Sequence, residues 1–310
     1  MIVPDQPPEP DALPRGAHPE SHATDTLPLL WVNGERQHSV GRHVSAVDRG
    51  LTLADGVFET MRVRDGTVFR LDRHLARLVD GLVALSIPVS PQLRDWVLAS
   101  VQGIRSTEAS IRLTVTRGVG ASGVQPPEDP HPTVILAVRP MPTFPAAIYE
   151  IGLTAHVASG RRNERALTAR LKTLAYTEAV AALLEARRAG AEEALFLDTD
   201  GHCSEATASN LFVWTGRTLV TPPISCGALP GITRAAVIEL ASALGVQSAE
   251  STITLNDLLG AEEAFLTSSL RGITPLVRVD RRSIGRGVPG SSTRQFIDAY
   301  DALISRECRT

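Results

Sequence analysis

Apolar positions along the chain switch repeatedly between a period of two and a period near 3.6, and the switches outline a mixed α and β protein. Leu29-Leu30-Trp31-Val32 before Asn33-Gly34 predicts a strand entering a tight hairpin. Residues 57–63 and 67–70 predict two strands around the turn at Asp65-Gly66. Leu71, Leu75, Leu78, Leu82 and Leu85 then fall on one helical face, ended by Pro88. A second helix is expected over 92–103, and strands over 111–116 and 133–138. In the second half, 173–189 predicts an Ala- and Leu-rich helix stopped by Gly190, and 193–198 a strand. Residues 210–214 and 218–221 predict a strand pair around Gly216. A helix over 233–244 is expected to have Thr233 at its cap, and 263–267 reads as a strand.

No βαβ unit repeats at a fixed period, which excludes an (α/β)8 barrel. A chain of 310 residues exceeds one usual domain. The expected division is a disordered tail over 1–26, rich in Pro, Glu, Asp, Ser and His, and a first α/β domain over 27–140. A Pro-rich linker over 141–147 and a second domain over 148–310 follow.

The net charge of −3 forms no basic stripe, so a nucleic-acid partner is not expected. No apolar run approaches the roughly 20 residues of a membrane span, and no basic segment followed by an apolar one announces a signal peptide. Cys203, Cys226 and Cys308 form no paired framework and no CxxC, which fits a reducing, cytoplasmic setting. The eight histidines lack HxxxH or HExxH spacing, so no metal site is expected.

One count changes the picture. Of 31 basic residues, 30 are arginine, and the single lysine is Lys172. Arginine keeps its proton, so its nitrogens are not nucleophiles, whereas a lysine amine can add to a carbonyl. Lys172 is therefore a candidate for amine chemistry, against the alternative of a surface lysine that merely survived. It stands between an irregular Arg-rich stretch and an expected helix start. Leu229-Pro230-Gly231-Ile232-Thr233-Arg234 opens another helix, whose free amides would suit a phosphate or would simply be capped. Glu205 lies among small residues; it is either a solvated loop acid or, if buried, in need of a cationic partner. Arg77 is either an anion ligand or one of many surface arginines, and Thr267-Ser268-Ser269 is a second phosphate contact or a turn.

Taken in order, these segments resemble the class IV (fold-type IV) aminotransferases, which include branched-chain aminotransferases, D-amino acid aminotransferases and aminodeoxychorismate lyases. The resemblance rests on Asp48-Arg49-Gly50, Ala54-Asp55-Gly56-Val57-Phe58-Glu59-Thr60, and the Phe69 to Leu78 segment. It continues through Leu171-Lys172-Thr173-Leu174-Ala175-Tyr176, the Glu205 segment with Asn210-Leu211-Phe212, Leu229 to Arg234, and Phe265 to Pro275. It implies an α+β fold with a small N-terminal α/β domain and a larger C-terminal pseudo-barrel domain. It also implies pyridoxal 5'-phosphate held as a Schiff base on Lys172, and a homodimer.

Residue by residue, the resemblance makes Glu205 the partner of the pyridine nitrogen and Leu229 the residue packed on the ring. Arg77, Ile232, Thr233 and Ser269 become phosphate contacts, and Tyr176 an active-site tyrosine. The Arg-x-His pair of the D-amino acid enzymes is absent from Val119–Val124, and Ala54 replaces a frequent glycine. The implied reaction is amino transfer between an amino acid, with branched-chain ones among the candidates, and a 2-oxo acid. The alternatives are an aminodeoxychorismate lyase releasing pyruvate and 4-aminobenzoate, and a non-catalytic ligand-binding descendant of the fold.

Overall fold

The computed structural model describes residues 27–38, 41–102, 104 and 107–309. The expected tail over 1–26 lies outside them, as does Gly103 at the foreseen end of the second helix.

The first sheet is built from β1 (Leu29–Val32), β2 (Glu35–Gln37), β3 (Gly56–Arg64), β4 (Thr67–Val68), β5 (Glu108–Thr116) and β6 (Thr133–Pro140). Its order is β2-β1-β6-β5-β3-β4, and its neighbouring strands run antiparallel throughout. One face is covered by α2 (Leu71–Ala84) and α3 (Leu93–Val101), while the short α1 (Arg49–Leu53) precedes β3. Leu71, Leu78 and Leu82 of α2 are buried against Val57, Met61 and Leu113, each contributing about 2 kcal/mol of burial. The heptad-like leucine spacing thus reads onto one helix face. Phe69 and Arg70, expected to extend a strand, instead leave β4; Arg70 turns left-handed at φ 52° to start α2.

The second sheet contains β7 (Leu153–Arg162), β8 (Glu193–Asp198), β9 (Cys203–Ala206), β10 (Asn210–Thr215), β11 (Thr218–Thr221), β12 (Gln247–Glu250), β13 (Glu263–Ser268) and β14 (Gly272–Val279), with β15 (Arg282–Ser283) on β14. Along the path β10-β13-β14-β7-β8-β9 the last strand returns to the first, because β9 also pairs with β10. That closure is a single register pair, Glu205 with Asn210. The ring encloses an apolar interior that includes Leu195, Cys203, Leu211, Leu266 and Leu276. This is the pseudo-barrel. Two long helices, α6 (Ile232–Ala243) and α8 (Ser291–Glu307), bury Phe212, Phe265 and Phe296 against its outside. Phe69 of the first half meets Tyr300 of α8 edge-on at 5.8 Å.

Three expectations in the second half need correction. The Arg-rich stretch before Lys172 includes the ten-residue strand β7, whose neighbours are both parallel. The helix after Lys172, α5 (Thr177–Arg188), starts four residues later than the composition suggested. Residues 172–174 are occupied elsewhere: the Phe58 amide donates to the Lys172 carbonyl and the Leu174 amide to the Gly56 carbonyl. The N-cap of α6 is Gly231, not Thr233; the Thr233 hydroxyl turns inward to the Tyr300 hydroxyl at 3.2 Å. The stretch over 141–147 runs from the end of β6 at Pro140 into a turn of helix, α4 (Ala147–Glu150).

Candidate active site

Two adjoining cavities, of about 390 and 380 Å³, share Lys172, Tyr176, Asn210 and Leu229, and the second is lined from both halves of the chain. All eight residues singled out from the sequence line one or both. Glu205 is in the first cavity; Arg77, Ile232, Thr233 and Ser269 are in the second.

Lys172 is held by its backbone. Its carbonyl accepts from Phe58 of β3 at 2.9 Å, and Thr173 bridges Val57 of the same strand. The first half of the chain therefore fixes the position of a residue belonging to the second. The Lys172 Nζ donates to the Tyr176 hydroxyl at 3.3 Å and lies 4.7 Å from the Phe58 ring centre. Phe58 and Tyr176 meet edge-on at 5.1 Å, so lysine, phenyl and phenol form one cluster.

Glu205, on β9, is not a solvated loop acid: its side chain is 12% exposed. One carboxylate oxygen accepts from the Leu229 amide at 2.8 Å and from Asn210 Nδ2 at 3.4 Å. The other pairs with Arg162 Nη2 at 3.2 Å. Burial pushes the Glu205 carboxyl up from its ordinary value, and Arg162 and the Leu229 amide oppose that rise. The cationic partner that a buried acid needs is thus present in the protein. Arg162 gave no signal among 30 arginines, and it was missed. Asn210 was quoted only as part of a motif. Its amide also donates to the Leu229 carbonyl at 2.8 Å, tying the acid, the ring-closing strand and the entry to α6 together.

At the far end of the second cavity, α6 begins. Its N-cap Gly231 provides no side-chain acceptor, so the first amides are left for another partner. A Cβ at position 231 would lie 2.0 Å from Asn210 Oδ1, so only glycine fits. Thr267 is 2% exposed, and its hydroxyl has no hydrogen-bond partner among the described residues. Arg77 reaches the same place from α2: its Nη1 donates to the Pro230 carbonyl at 2.8 Å. Helix amides, a guanidinium and an orphaned hydroxyl converge here, and that is the chemistry of a phosphate site.

The second cavity is lined by four cations, Arg77, Arg112, Lys172 and Arg271, and by no carboxylate. Arg112, on β5, stacks 3.7 Å over the Phe58 ring and has no ion pair among the described residues. Partial desolvation and the nearby Arg139 lower its guanidinium from the ordinary value, although the residue itself remains exposed. Arg271 sits at the tip of the β13–β14 hairpin, donating to Glu193 at 3.2 Å. Neither arginine was singled out from the sequence; Arg112 stands in a strand whose alternation hides which face it occupies. Among the described residues no group of His, Cys, Asp and Glu is arranged to hold a metal ion, and no helix is long and apolar enough to cross a membrane.

The sequence model of the amino-transferase class IV family matches residues 56–279. A putative branched-chain-amino-acid aminotransferase of Methanocaldococcus jannaschii is 36% identical over 275 residues, covering 87% of this chain and 94% of that protein. The crystal structure of the Escherichia coli branched-chain amino acid aminotransferase superposes with a TM-score of 0.85 at 32% identity, covering 91% of this chain and 96% of that one. The 4-amino-4-deoxychorismate lyase of Pseudomonas aeruginosa gives a TM-score of 0.79 at 34% identity, covering 91% and 100%.

Proposed function

The chain belongs to the class IV aminotransferase family, and from that premise we propose that it is a pyridoxal-phosphate enzyme moving an amino group between an amino acid and a 2-oxo acid. Family members are enzymes that depend on pyridoxal 5'-phosphate. The observation that carries the reading to this chain is the placement of Lys172. It stands between a buried acid and a phosphate-type site, and every other cation lining either cavity is an arginine.

The residues present fit that cofactor. Glu205 would pair with the pyridine nitrogen, with Arg162 supporting the ionised carboxylate. Leu229 would pack on the ring. The amides of Ile232 and Thr233, Arg77, and the hydroxyls of Ser269 and Thr267 would hold the phosphate. When bound, pyridoxal phosphate supplies an electron sink that stabilises negative charge at the substrate Cα. Lys172 Nζ acts as general base for the Cα proton and carries it within the site, a task no guanidinium can perform. Tyr176 keeps Nζ on station through its hydroxyl. Arg112, on the acid-free side, receives a substrate carboxylate.

The lyase reading shares every one of these residues. It is supported by the pairing of Arg112 with Arg271 in one cavity, since aminodeoxychorismate carries two carboxylates. A 2-oxo diacid would use the same pair. The three cysteines are buried and free, in keeping with a reducing cytoplasm. Val47, Leu51, Val119 and Val124 are exposed apolar residues brought together where the Gly120 amide bonds the Val47 carbonyl. A second copy of the chain would cover them, making the enzyme a homodimer.

Reduction of the purified protein with borohydride, followed by peptide mapping, tests the central assignment. The pyridoxyl mass is expected on Lys172, and its appearance elsewhere, or nowhere, refutes it. Pyruvate release from aminodeoxychorismate without an oxo-acid acceptor would decide for the lyase. Amino transfer from a panel of donors would decide against it.

A further inference from the structure

Glu59 is wholly buried on β3, one residue after Phe58. Its carboxylate accepts three hydrogen bonds: Arg77 Nε and Nη2, each at 2.7 Å, and His74 Nδ1 at 2.7 Å. Nothing in the proposed chemistry uses Glu59 or His74. A buried, fully paired acid that does no chemistry must be accounted for by what it holds.

It holds Arg77. The guanidinium has five N–H groups in a fixed plane. Two are taken by Glu59 and one by the Pro230 carbonyl. The remaining two have no partner in the protein among the described residues, and Arg77 lines the cavity beside the start of α6. Arg77 thereby reaches from α2 to the residue just ahead of Gly231. The neighbouring residue on β3, Phe58, meanwhile holds the Lys172 carbonyl at 2.9 Å. Consecutive residues of one strand thus fasten the two ends of the cavity, Phe58 the lysine and Glu59 the arginine. His74 completes the device from the next turn of α2. Burial lowers its ring from the ordinary value, so it stays neutral and donates Nδ1–H to Glu59.

We propose that Glu59, backed by His74, is a positioning residue: it orients Arg77 for a phosphate group and, through its neighbour Phe58, sets the spacing between that group and Lys172. The proposal rests on the cofactor reading above and adds two residues that touch neither cofactor nor substrate. Glutamine at position 59 is close in shape, but it turns one acceptor oxygen into an NH2 donor. That donor would face either Arg77 Nε–H or both Arg77 Nη2–H and His74 Nδ1–H, and in either case Arg77 would lose its two-point hold.

The test compares two ligands. Apoenzyme is titrated with pyridoxal 5'-phosphate and with pyridoxal, which lacks the phosphate, and binding is read from the chromophore and from tryptophan fluorescence. Glu59→Gln is expected to weaken pyridoxal phosphate about tenfold, the order expected for one charge-assisted pair, and to leave pyridoxal within about twofold. Equal losses for the two ligands, or no loss for either, would overturn the positioning role. If Glu59→Gln does not fold by circular dichroism, Glu59→Asp is read in the same way; it keeps the charge but shortens the reach, and the same ligand-selective loss is expected. A wild-type protein that binds neither ligand overturns the cofactor reading itself, and is told apart because no variant is then needed.

Discussion

Glu205 and Asn210 face each other as the one register pair that closes the second sheet into a ring. The acid therefore sits on a structural seam, and its neighbour Arg162 comes from β7, two strands away along the sheet. Burial raises the Glu205 carboxyl and Arg162 pulls it down. Removing the cation with Arg162→Leu should let the carboxyl rise further. The acid limb of the activity profile is then expected to move to higher pH, while activity well above it is largely kept. A limb that stays in place in kcat measured against pH would argue against the pairing.

Lys172→Arg keeps a positive charge and removes the only amine in the cavities. Turnover should fall by at least about a thousandfold, within the range set by losing a general base and more if the covalent anchor is counted. Steady-state assays at saturating cofactor check this, and an active variant would sink the role given to Lys172.

Gly231→Ala places a methyl group 2.0 Å from Asn210 Oδ1. The φ of −68° is ordinary, so the cost comes from crowding and not from backbone strain. Asn210 must give up its bonds to Leu229 and Glu205 to make room. A loss of about 1–3 kcal/mol is expected, together with weaker cofactor binding. Denaturation midpoints with and without pyridoxal phosphate measure the two effects.

Glu59 gives a pH dependence with a definite sign. Burial alone would raise its carboxyl, but hydrogen bonds from His74 and Arg77 outweigh that and hold it at about 2, below the ordinary 4.5. The stabilisation is complete above 4.5, where folded and unfolded chains are both ionised. It is lost as the pH falls from 4.5 towards 2, because the unfolded chain takes up the proton first. Urea midpoints across that window should fall more steeply for the wild type than for Glu59→Gln. Parallel slopes would contradict the assignment.

The leucine stripe of α2, the hairpin turns and the order of the motifs were legible in the sequence because they depend on local period and local turn chemistry. The start of α5 was not. Ala175 and Leu174 favour a helix, yet the edge of β3 claims the backbone of 172–174, a tertiary demand that propensity cannot register. Strand β7 was hidden for a related reason. Its end carries Gly160, Arg161 and Arg162, a polar run with no apolar alternation. The role of Thr233 was misjudged because its hydroxyl finds Tyr300, 67 residues away, in place of its own helix amides. The residues easiest to foresee were those with unusual chemistry, such as Lys172. Those that support them, Arg162 and Glu59, look ordinary until the fold brings their partners close.

The closing pair of the ring also has a temporal meaning. Until β9 meets β10, Asn210 has no Glu205 beside it, and the acid is not tied to the entry of α6. Lys172 likewise gains its place only when β3 of the other sheet has docked. Assembly of the reactive centre thus waits on both closures, and under the proposed function capture of a coloured cofactor would serve as a clock for the last stage of folding.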